Sequence, residues 1–416
     1  MTSILTQILS LATFKSLRHK NYRLFFSGQL FSLAGTWMQS VAQAWLVYQL
    51  THSSLWLGTI GFLNSIPILF LSMFGGSLAD RMSKRKLIII TQLISLMQAC
   101  VLAGLVLTDR ITVEIVAVLA LSLGIVNAFD IPARQSYIVE LVGKENLTNA
   151  IALNSATFNA ARIAGPAIGG VVIATFGVGW CFALNALSFC AVIVSLYKID
   201  TQYVPDQKHS SFNVMQSLKQ SAIYIRSDTS LIALMLLVAV VTIFGWSYAV
   251  LLPIFADSIL NIGAVGLGNL MMSVGIGAFV SAVMIASFES RIQAKTFIYT
   301  GIFLFVFCVS IFALSPNISL SLLSLIGVGM GLVMFLATAN ASIQRQVPDA
   351  LRGRVMGLYS LIFQGLSPFG SLGMGFLASM IGVRSAVLVG GAVCGIAAFS
   401  VRHWSKKLRL GGIRTT

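Results

Sequence analysis

Charged residues are scarce in this chain. Asp, Glu, Lys and Arg together make up 9% of its 416 residues, whereas a soluble domain carries about a quarter. Hydrophobic residues make up 57%, and the mean hydropathy is +0.90. A helix of about 20 apolar residues can cross a bilayer, because its backbone polar groups are hydrogen-bonded within the segment. The composition therefore excludes a soluble protein and predicts an all-α membrane protein.

Cysteine is also rare, and its pattern does not suit metal binding. None of the five cysteines forms a CxxC pair or has a histidine nearby, and all lie within apolar runs: Cys100, Cys181, Cys190, Cys308 and Cys394. Metal-ligand spacing is therefore absent. The sequence also lacks a Gly-rich phosphate loop with its lysine and a nucleophile elbow. We expect no enzymatic activity, no ATP hydrolysis, no metal and no cofactor.

Acidic residues number only 12 against 27 Lys and Arg, so the formal net charge is +15. The basic residues are spread over short loops between apolar runs, a pattern that excludes a nucleic-acid partner. With the N-terminus placed in the cytoplasm, 24 of the 27 lie on the cytoplasmic side. This bias predicts a multi-pass protein of the plasma (inner) membrane, in contact with membrane lipids and with both termini in the cytoplasm.

The apolar runs form two groups of six. They lie at about 24–48, 55–78, 87–107, 111–131, 150–176 and 178–197, and at about 231–255, 265–288, 296–315, 318–341, 355–380 and 383–401. We predict twelve transmembrane helices in two pseudo-symmetric six-helix bundles, residues 1–198 and 231–416, joined by a cytoplasmic linker at 199–230. Val142–Ser155 and Val347–Ser360 echo each other at an offset of 205 residues, as in transporters with internal repeats.

Two further helices are expected on the inner membrane surface. In the linker, apolar residues recur every three or four positions at Phe212, Met215, Leu218, Ala222 and Ile225. This spacing indicates an amphipathic helix, with a solvated linker as the alternative. The first residues, MTSILTQILSLATFK, lack a basic segment before the apolar stretch. We therefore expect a short surface helix there rather than a signal peptide.

A cluster of charge lies between the second and third predicted helices. The segment Gly76-x-Leu78-Ala79-Asp80-Arg81-x-x-Lys84-Arg85 resembles the helix 2–3 signature of the major facilitator superfamily, with Ser83 where glycine is usual. The resemblance implies that Asp80 meets the N-terminal end of helix 11 and closes a cytoplasmic gate. Such a contact is favourable by about 0.3–1 kcal/mol. The predicted gate residues are Gly76, Asp80, Arg81, Arg85, Arg134 and Arg354. A plain topology signal is the alternative for this basic loop.

Two longer stretches narrow the resemblance. Ala128–Ser155 and Thr338–Ser379 are similar to the branch of the superfamily that contains the enterobactin exporter and macrolide-efflux proteins. This similarity implies a monomeric secondary transporter that exports a small organic molecule, a drug-like amphiphile or a siderophore, by alternating access and proton antiport. A lipid flippase on the same fold and a transport-inactive membrane scaffold or sensor are the alternatives.

The fifth predicted helix carries the most informative polar face. Ser155, Asn159, Arg162 and Pro166 are spaced four, three and four residues apart and share one side of the helix. A charge at the depth of Arg162 costs at least about 2.5 kcal/mol unless it meets water or a partner. The candidates for substrate binding or proton coupling are Arg162, Asn159, Ser155, Asp130, Asp257 and Gln43.

These candidates also have structural alternatives. Arg162 could form an ion pair or bond backbone carbonyls, Asp130 could cap a helix break before Pro132, and Asp257 could lie at the membrane interface. Small residues next to the polar face predict close helix packing. Gly165-Pro166-Ala-Ile-Gly169 resembles the antiporter motif of the superfamily, with Ala152 and Ala161 in place of earlier glycines.

Overall fold

The computed structural model describes residues 12–199, 223–226, 228–289 and 291–410. Most of the predicted linker helix, and residues 1–11 of the predicted N-terminal surface helix, lie outside the described residues. Within the described ranges the chain is helical and has no β-strand. A short 3-10 helix at Ala12–Arg18 precedes the first long helix.

The long helices are labelled α1 to α12 in chain order. They are α1 Lys20–Thr51, α2 Ser54–Arg81, α3 Lys84–Leu107, α4 Val113–Gly143, α5 Glu145–Phe176, α6 Val178–Lys198, α7 Thr229–Ile259, α8 Gly263–Phe288, α9 Ala294–Leu314, α10 Ile318–Gln346, α11 Asp349–Gly365 with Ser367–Ile381, and α12 Val383–Leu410. Among the described residues, 11 helices are long and apolar enough to cross a membrane. α1 spans 32 residues and is less apolar, because it carries the buried glutamines Gln29, Gln39 and Gln43.

The break predicted before Pro132 is wrong, because α4 continues through this proline to Gly143. Gly143 has a φ of 70° and separates α4 from α5. Proline removes the N–H that would bond the carbonyl four residues earlier, here that of Ala128. This carbonyl faces Gly75 of α2, where an added Cβ would lie only 2.2 Å from its oxygen. The missing side chain at Gly75 therefore lets α2 pack directly against the unpaired carbonyl.

Contacts between Cα atoms divide the chain into two compact units. The first contains Met1–Thr51, Ile66–His209 and Ile262–Met272, and the second contains His52–Ser65, Ser210–Asn261 and Ser273–Thr416. α2 and α8 each contribute to both units. The first part of α2, up to Ser65, belongs to the second unit, and the first part of α8, up to Met272, belongs to the first unit. The proposed domain boundaries of the sequence therefore stay a prediction.

The first unit is held at one end by an aromatic core. Tyr22 and Phe25 of α1 are almost fully buried with Tyr137 of α4. The Phe25 and Tyr137 rings meet edge to face at 5.7 Å, and the Tyr22 hydroxyl donates to the carbonyl of Ala150 at 2.9 Å. This end carries the α2–α3 and α4–α5 loops, and we call the helix ends on this side the basic ends. The α8–α9 and α10–α11 loops mark the basic ends in the second unit.

The second unit contains two irregular helices. α7 is interrupted by a π-helical segment at Val241–Gly245 and a 3-10 segment at Trp246–Leu251, and it ends in a second π-helical segment at Phe255–Ile259. α11 breaks at Leu366, just before Pro368.

Candidate gate and transport site

The charged segment lies at the basic ends of α2 and α3. Asp80 is exposed in the last turn of α2, and it has no hydrogen bond or ion pair with any residue that the structure describes. Arg81 beside it is exposed, and Arg354 is half-buried in α11. Of the glycine pair in α2, Gly75 makes the close helix contact, whereas a Cβ on Gly76 would meet no atom within 4 Å.

Arg85 binds the end of α6. Its Nε donates to the carbonyl of Leu196 at 2.7 Å, and Nη2 donates to the carbonyl of Tyr197 at 3.0 Å. The last carbonyls of a helix have no partner within the helix, and a cation there also matches the helix dipole. Arg85 therefore anchors the α2–α3 loop to α6 in the first unit.

Asp130 is the centre of a buried polar cluster in the first unit. One carboxylate oxygen accepts from the Thr91 hydroxyl at 2.7 Å and from Gln92 Nε2 at 3.2 Å. The other accepts from Arg134 Nε at 2.9 Å and from Arg134 Nη2. Asp130 is 5% exposed. Its four donors thus join the basic ends of α3 and α4.

Two ion pairs occupy equivalent places in the two sequence halves. Lys84 at the start of α3 pairs with Glu140 of α4 in the first unit, and Glu289 after α8 pairs with Arg345 of α10 at 2.8 Å in the second. Glu289 follows Lys84 by 205 residues, and Arg345 follows Glu140 by the same 205. This is the offset of the sequence repeat at Val142–Ser155, so the repeat preserves a contact and inverts its charges.

The polar face of α5 is partly accessible. Ser155 is exposed, while Asn159 and Arg162 are half-buried. Asn159 Nδ2 donates to the Ser155 carbonyl at 2.9 Å, so part of its hydrogen-bonding capacity is used within α5. The Nε atom of Arg162 is buried. A guanidinium at this place can bind a carboxylate or another anionic oxygen.

The small residues of α5 pack against α1. A Cβ on Gly165 would lie 2.5 Å from the Trp37 Cβ and 2.8 Å from the Ala34 carbonyl. One on Gly169 would lie 3.2 Å from the Met38 side chain. Pro166, between them, is buried. The segment thus brings the Arg162 helix into close contact with α1.

Two other candidates lie on other helices. Gln43 is buried in α1, and Asp257 is half-buried in the last, π-helical segment of α7. A different buried network crosses the first unit, where Gln39 accepts from Asn185 at 2.7 Å and donates to Gln98 at 3.3 Å.

At the helix ends opposite the basic ends, α2 crosses α11 within the second unit. The Ser54 hydroxyl donates to the Gly375 carbonyl at 3.0 Å. A Cβ on Gly58 would lie 2.6 Å from the Ser371 carbonyl oxygen. One on Gly375 would lie 2.9 Å from the Gly58 Cα. Only glycine permits the two backbones to approach each other this closely.

A second crossing of this kind joins α5 to α8 within the first unit. A Cβ on Gly170 would lie 2.7 Å from the Ala264 carbonyl oxygen, and one on Gly268 would lie 2.5 Å from the Pro166 carbonyl oxygen. Both crossings connect a helix of the first six with a helix of the last six.

Comparison with known families now identifies the chain. The family of transmembrane secretion effectors in the major facilitator superfamily (MFS) matches residues 11–410. The chain belongs to this family. This MFS protein is 25% identical over 395 residues to the staphyloferrin A transporter of Staphylococcus aureus, an alignment that covers 93% of this chain and 98% of the relative.

Other relatives are efflux proteins. The multidrug efflux pump Tap of Mycolicibacterium fortuitum is 26% identical, with 85% of this chain and 88% of the pump covered. The enterobactin exporter EntS of Escherichia coli is 24% identical, with 85% and 83% covered. The fold of this MFS protein is also similar to solved transporters. A bacterial homologue of the human lysosomal transporter Spinster gives a TM-score of 0.75 at 12% identity over 92% of this chain and 96% of that one. The nucleoside transporter NupG gives 0.71 at 16% over 93% and 98%.

Several contacts of this MFS protein were not predicted from the sequence. Thr91 and Gln92, which hold Asp130, have no distinguishing pattern in an apolar helix. The partners Glu140 and Arg345 could have been predicted. They correspond to each other at the 205-residue offset, as do Lys84 and Glu289, and within each pair the two residues carry opposite charges.

Proposed function

We propose that this MFS protein is a twelve-helix secondary transporter that exports a small organic molecule, a drug-like amphiphile or a siderophore, by alternating access. Residues 1–198 and 231–416 form its two halves, the linker 199–230 joins them, and the basic ends of the helices face the cytoplasm. Proton entry drives export, and the protein works as a monomer in the plasma (inner) membrane with both termini in the cytoplasm.

The pair of glycine-lined crossings is the observation that carries this proposal. α2 with α11, and α5 with α8, meet backbone to backbone at the end opposite the basic loops. Contacts of this kind can close the outer side of a transporter. At the basic end Asp80 is exposed and lacks a hydrogen bond or ion pair among the described residues, so its carboxylate is available for a gate contact. Closing the cytoplasmic side would bring Asp80 to the N-terminal end of α11, where the helix dipole favours an anion.

Reversible cross-linking tests alternating access. The Phe62 and Phe369 rings meet edge to face at 5.9 Å in the α2–α11 crossing, so cysteines at these positions should react with a short bifunctional thiol reagent. The background lacks the native cysteines. Cross-linking should stop transport, and reduction should restore it, because the crossing must open in every cycle. The control pair, Lys84→Cys with Glu140→Cys, joins two helices of one half, and its cross-linked form should transport as well as its own reduced form. Unimpeded transport by the cross-linked Phe62/Phe369 pair would contradict the mechanism.

Substrate and coupling are tested in inverted vesicles with an imposed pH gradient. The relatives suggest the panel, which consists of staphyloferrin A, enterobactin and a set of drugs. Accumulation of a compound that depends on the gradient supports proton-driven export. Accumulation that persists after the gradient is collapsed with an ionophore argues against antiport. Movement of a fluorescent lipid with no compound from the panel would instead support a flippase.

A further inference from the structure

Two helices of the second unit lose their regular form near the middle of their spans. α7 changes to a π-helix at Val241–Gly245 and to a 3-10 helix at Trp246–Leu251, and α11 breaks at Leu366. The breaks are in contact, because a Cβ on Gly370 would lie 2.6 Å from the Ile243 carbonyl oxygen. Irregular backbone at membrane depth is tolerated only inside protein or along a cavity, and interrupted helices commonly form substrate sites. π-helical segments are also frequent at functional sites.

An aromatic cluster lies beside these breaks. The indole of Trp246, the first residue of the 3-10 segment, meets the Phe363 ring edge to face at 6.0 Å. Phe363 stacks on Tyr359 one turn earlier, with 6.3 Å between the ring centroids and 16° between the planes. Trp246 and Phe363 are both half-buried. Part of each ring is therefore available to another aromatic group.

Amide side chains of α10 border the cluster. The Asn340 side chain lies beside the Tyr359 side chain, and its Oδ1 accepts from Gln344 Nε2 at 2.6 Å. Uncompensated polar groups are costly against lipid, so polar side chains within a span face the protein interior or a cavity. The aromatic cluster is continuous with this polar side of α10. It therefore belongs to the interior surface of the second unit.

We propose that Trp246, Tyr359, Phe363 and Asn340 form a subsite for an aryl group of the transported molecule. Aromatic rings stack face to edge or offset on such clusters, and an amide beside them can bond a ring hydroxyl. No member of the subsite is charged, so it suits a phenol or catechol ring rather than a carboxylate. The proposal rests on the proposed export function and deepens it by naming the substrate class.

Isothermal titration of the purified full-length chain in lipid nanodiscs tests the subsite. The probes are iron-free enterobactin, which carries catechol rings, and staphyloferrin A, which carries carboxylates and no aromatic ring. Trp246→Ala should raise the Kd for enterobactin about two- to twelve-fold, the loss expected for one aromatic pair. The Kd for staphyloferrin A should not change. Trp246→Phe keeps a ring and should lose less than the alanine variant.

Trp180→Ala provides the matched control, because this half-exposed tryptophan lies at the start of α6. It should leave both Kd values unchanged. If Trp246→Ala lacks a thermal unfolding transition, Phe363→Leu takes its place with the same expectation. An equal rise of Kd for both probes, no rise for enterobactin, or no binding of enterobactin by the unaltered chain overturns the subsite.

The vesicle assay separates this result from the export function. A chain that exports staphyloferrin A but does not bind enterobactin keeps the export function and overturns the subsite. A chain that binds enterobactin through Trp246 but moves no compound keeps the subsite and contradicts export.

Discussion

Removing the Asp130 carboxylate should strongly destabilise the first unit. Asp130→Ala leaves the Arg134 guanidinium without the partner of two hydrogen bonds, and it also removes the acceptor of Thr91 and Gln92. Breaking a buried ion pair costs about 3–5 kcal/mol. We expect a loss of stability at the lower end of this range, about 3 kcal/mol, because 18% of the Arg134 side chain is exposed and water can solvate part of the unpaired charge. For a unit of this size, that corresponds to a fall in Tm of about 6–12 °C.

The assay is thermal unfolding of the purified protein in detergent, followed by intrinsic fluorescence. Thr91→Val is the matched control, because it removes one hydrogen bond from an uncharged donor, keeps the ion pair and should cost about 1.5 kcal/mol. Asp130→Ala, Arg134→Ala and the double variant then form a cycle. Their coupling should exceed the average of about 0.6 kcal/mol for hydrogen bonds between membrane helices. Additive losses, or a loss for Asp130→Ala no larger than that for Thr91→Val, would refute the reasoning.

Three further predictions concern the charges of the first half. Lys84→Glu should lower transport or stability, and adding Glu140→Lys should restore what is lost. The effect on stability should be at most about 1 kcal/mol, because the pair is partly exposed. A double variant no better than the single one would argue against a specific pair. Asp80→Asn should raise the ratio of open to closed molecules about two- to five-fold, as read from spin-label distances across the cytoplasmic mouth, whereas Lys86→Gln should leave this ratio unchanged. Equal changes in the two variants would reduce the loop to a topology signal. Arg162→Ala should abolish export in inverted vesicles with normal membrane insertion, and Arg162→Lys should restore little, because lysine cannot bind bidentately; full export by the alanine variant would exclude a role in the transport site.

The spans and the family could be predicted from the sequence because they depend on composition and local order. The scarcity of charge and the apolar runs require membrane helices, whatever their neighbours are. The motif around Asp80 and the stretches at Ala128–Ser155 and Thr338–Ser379 indicated the superfamily, and the match over residues 11–410 confirms it. The repeat offset of 205 residues likewise needs no structure to be seen.

Other features depend on side chains of different helices, and only the tertiary structure decided them. α4 continues through Pro132, and Gly75 of another helix packs against the carbonyl that this proline leaves unpaired. In the same way, the partners of Asp130 lie on α3, and Arg85 binds the end of α6.

These pairings were hidden for a physical reason. A helix that is apolar on every side has no amphipathic stripe to show which face meets which neighbour. Its rotation and register are set by close packing of small residues and by a few polar contacts with distant parts of the chain. Composition and local order therefore determined that the chain crosses the membrane as helices, whereas packing between helices decided which residues meet inside it.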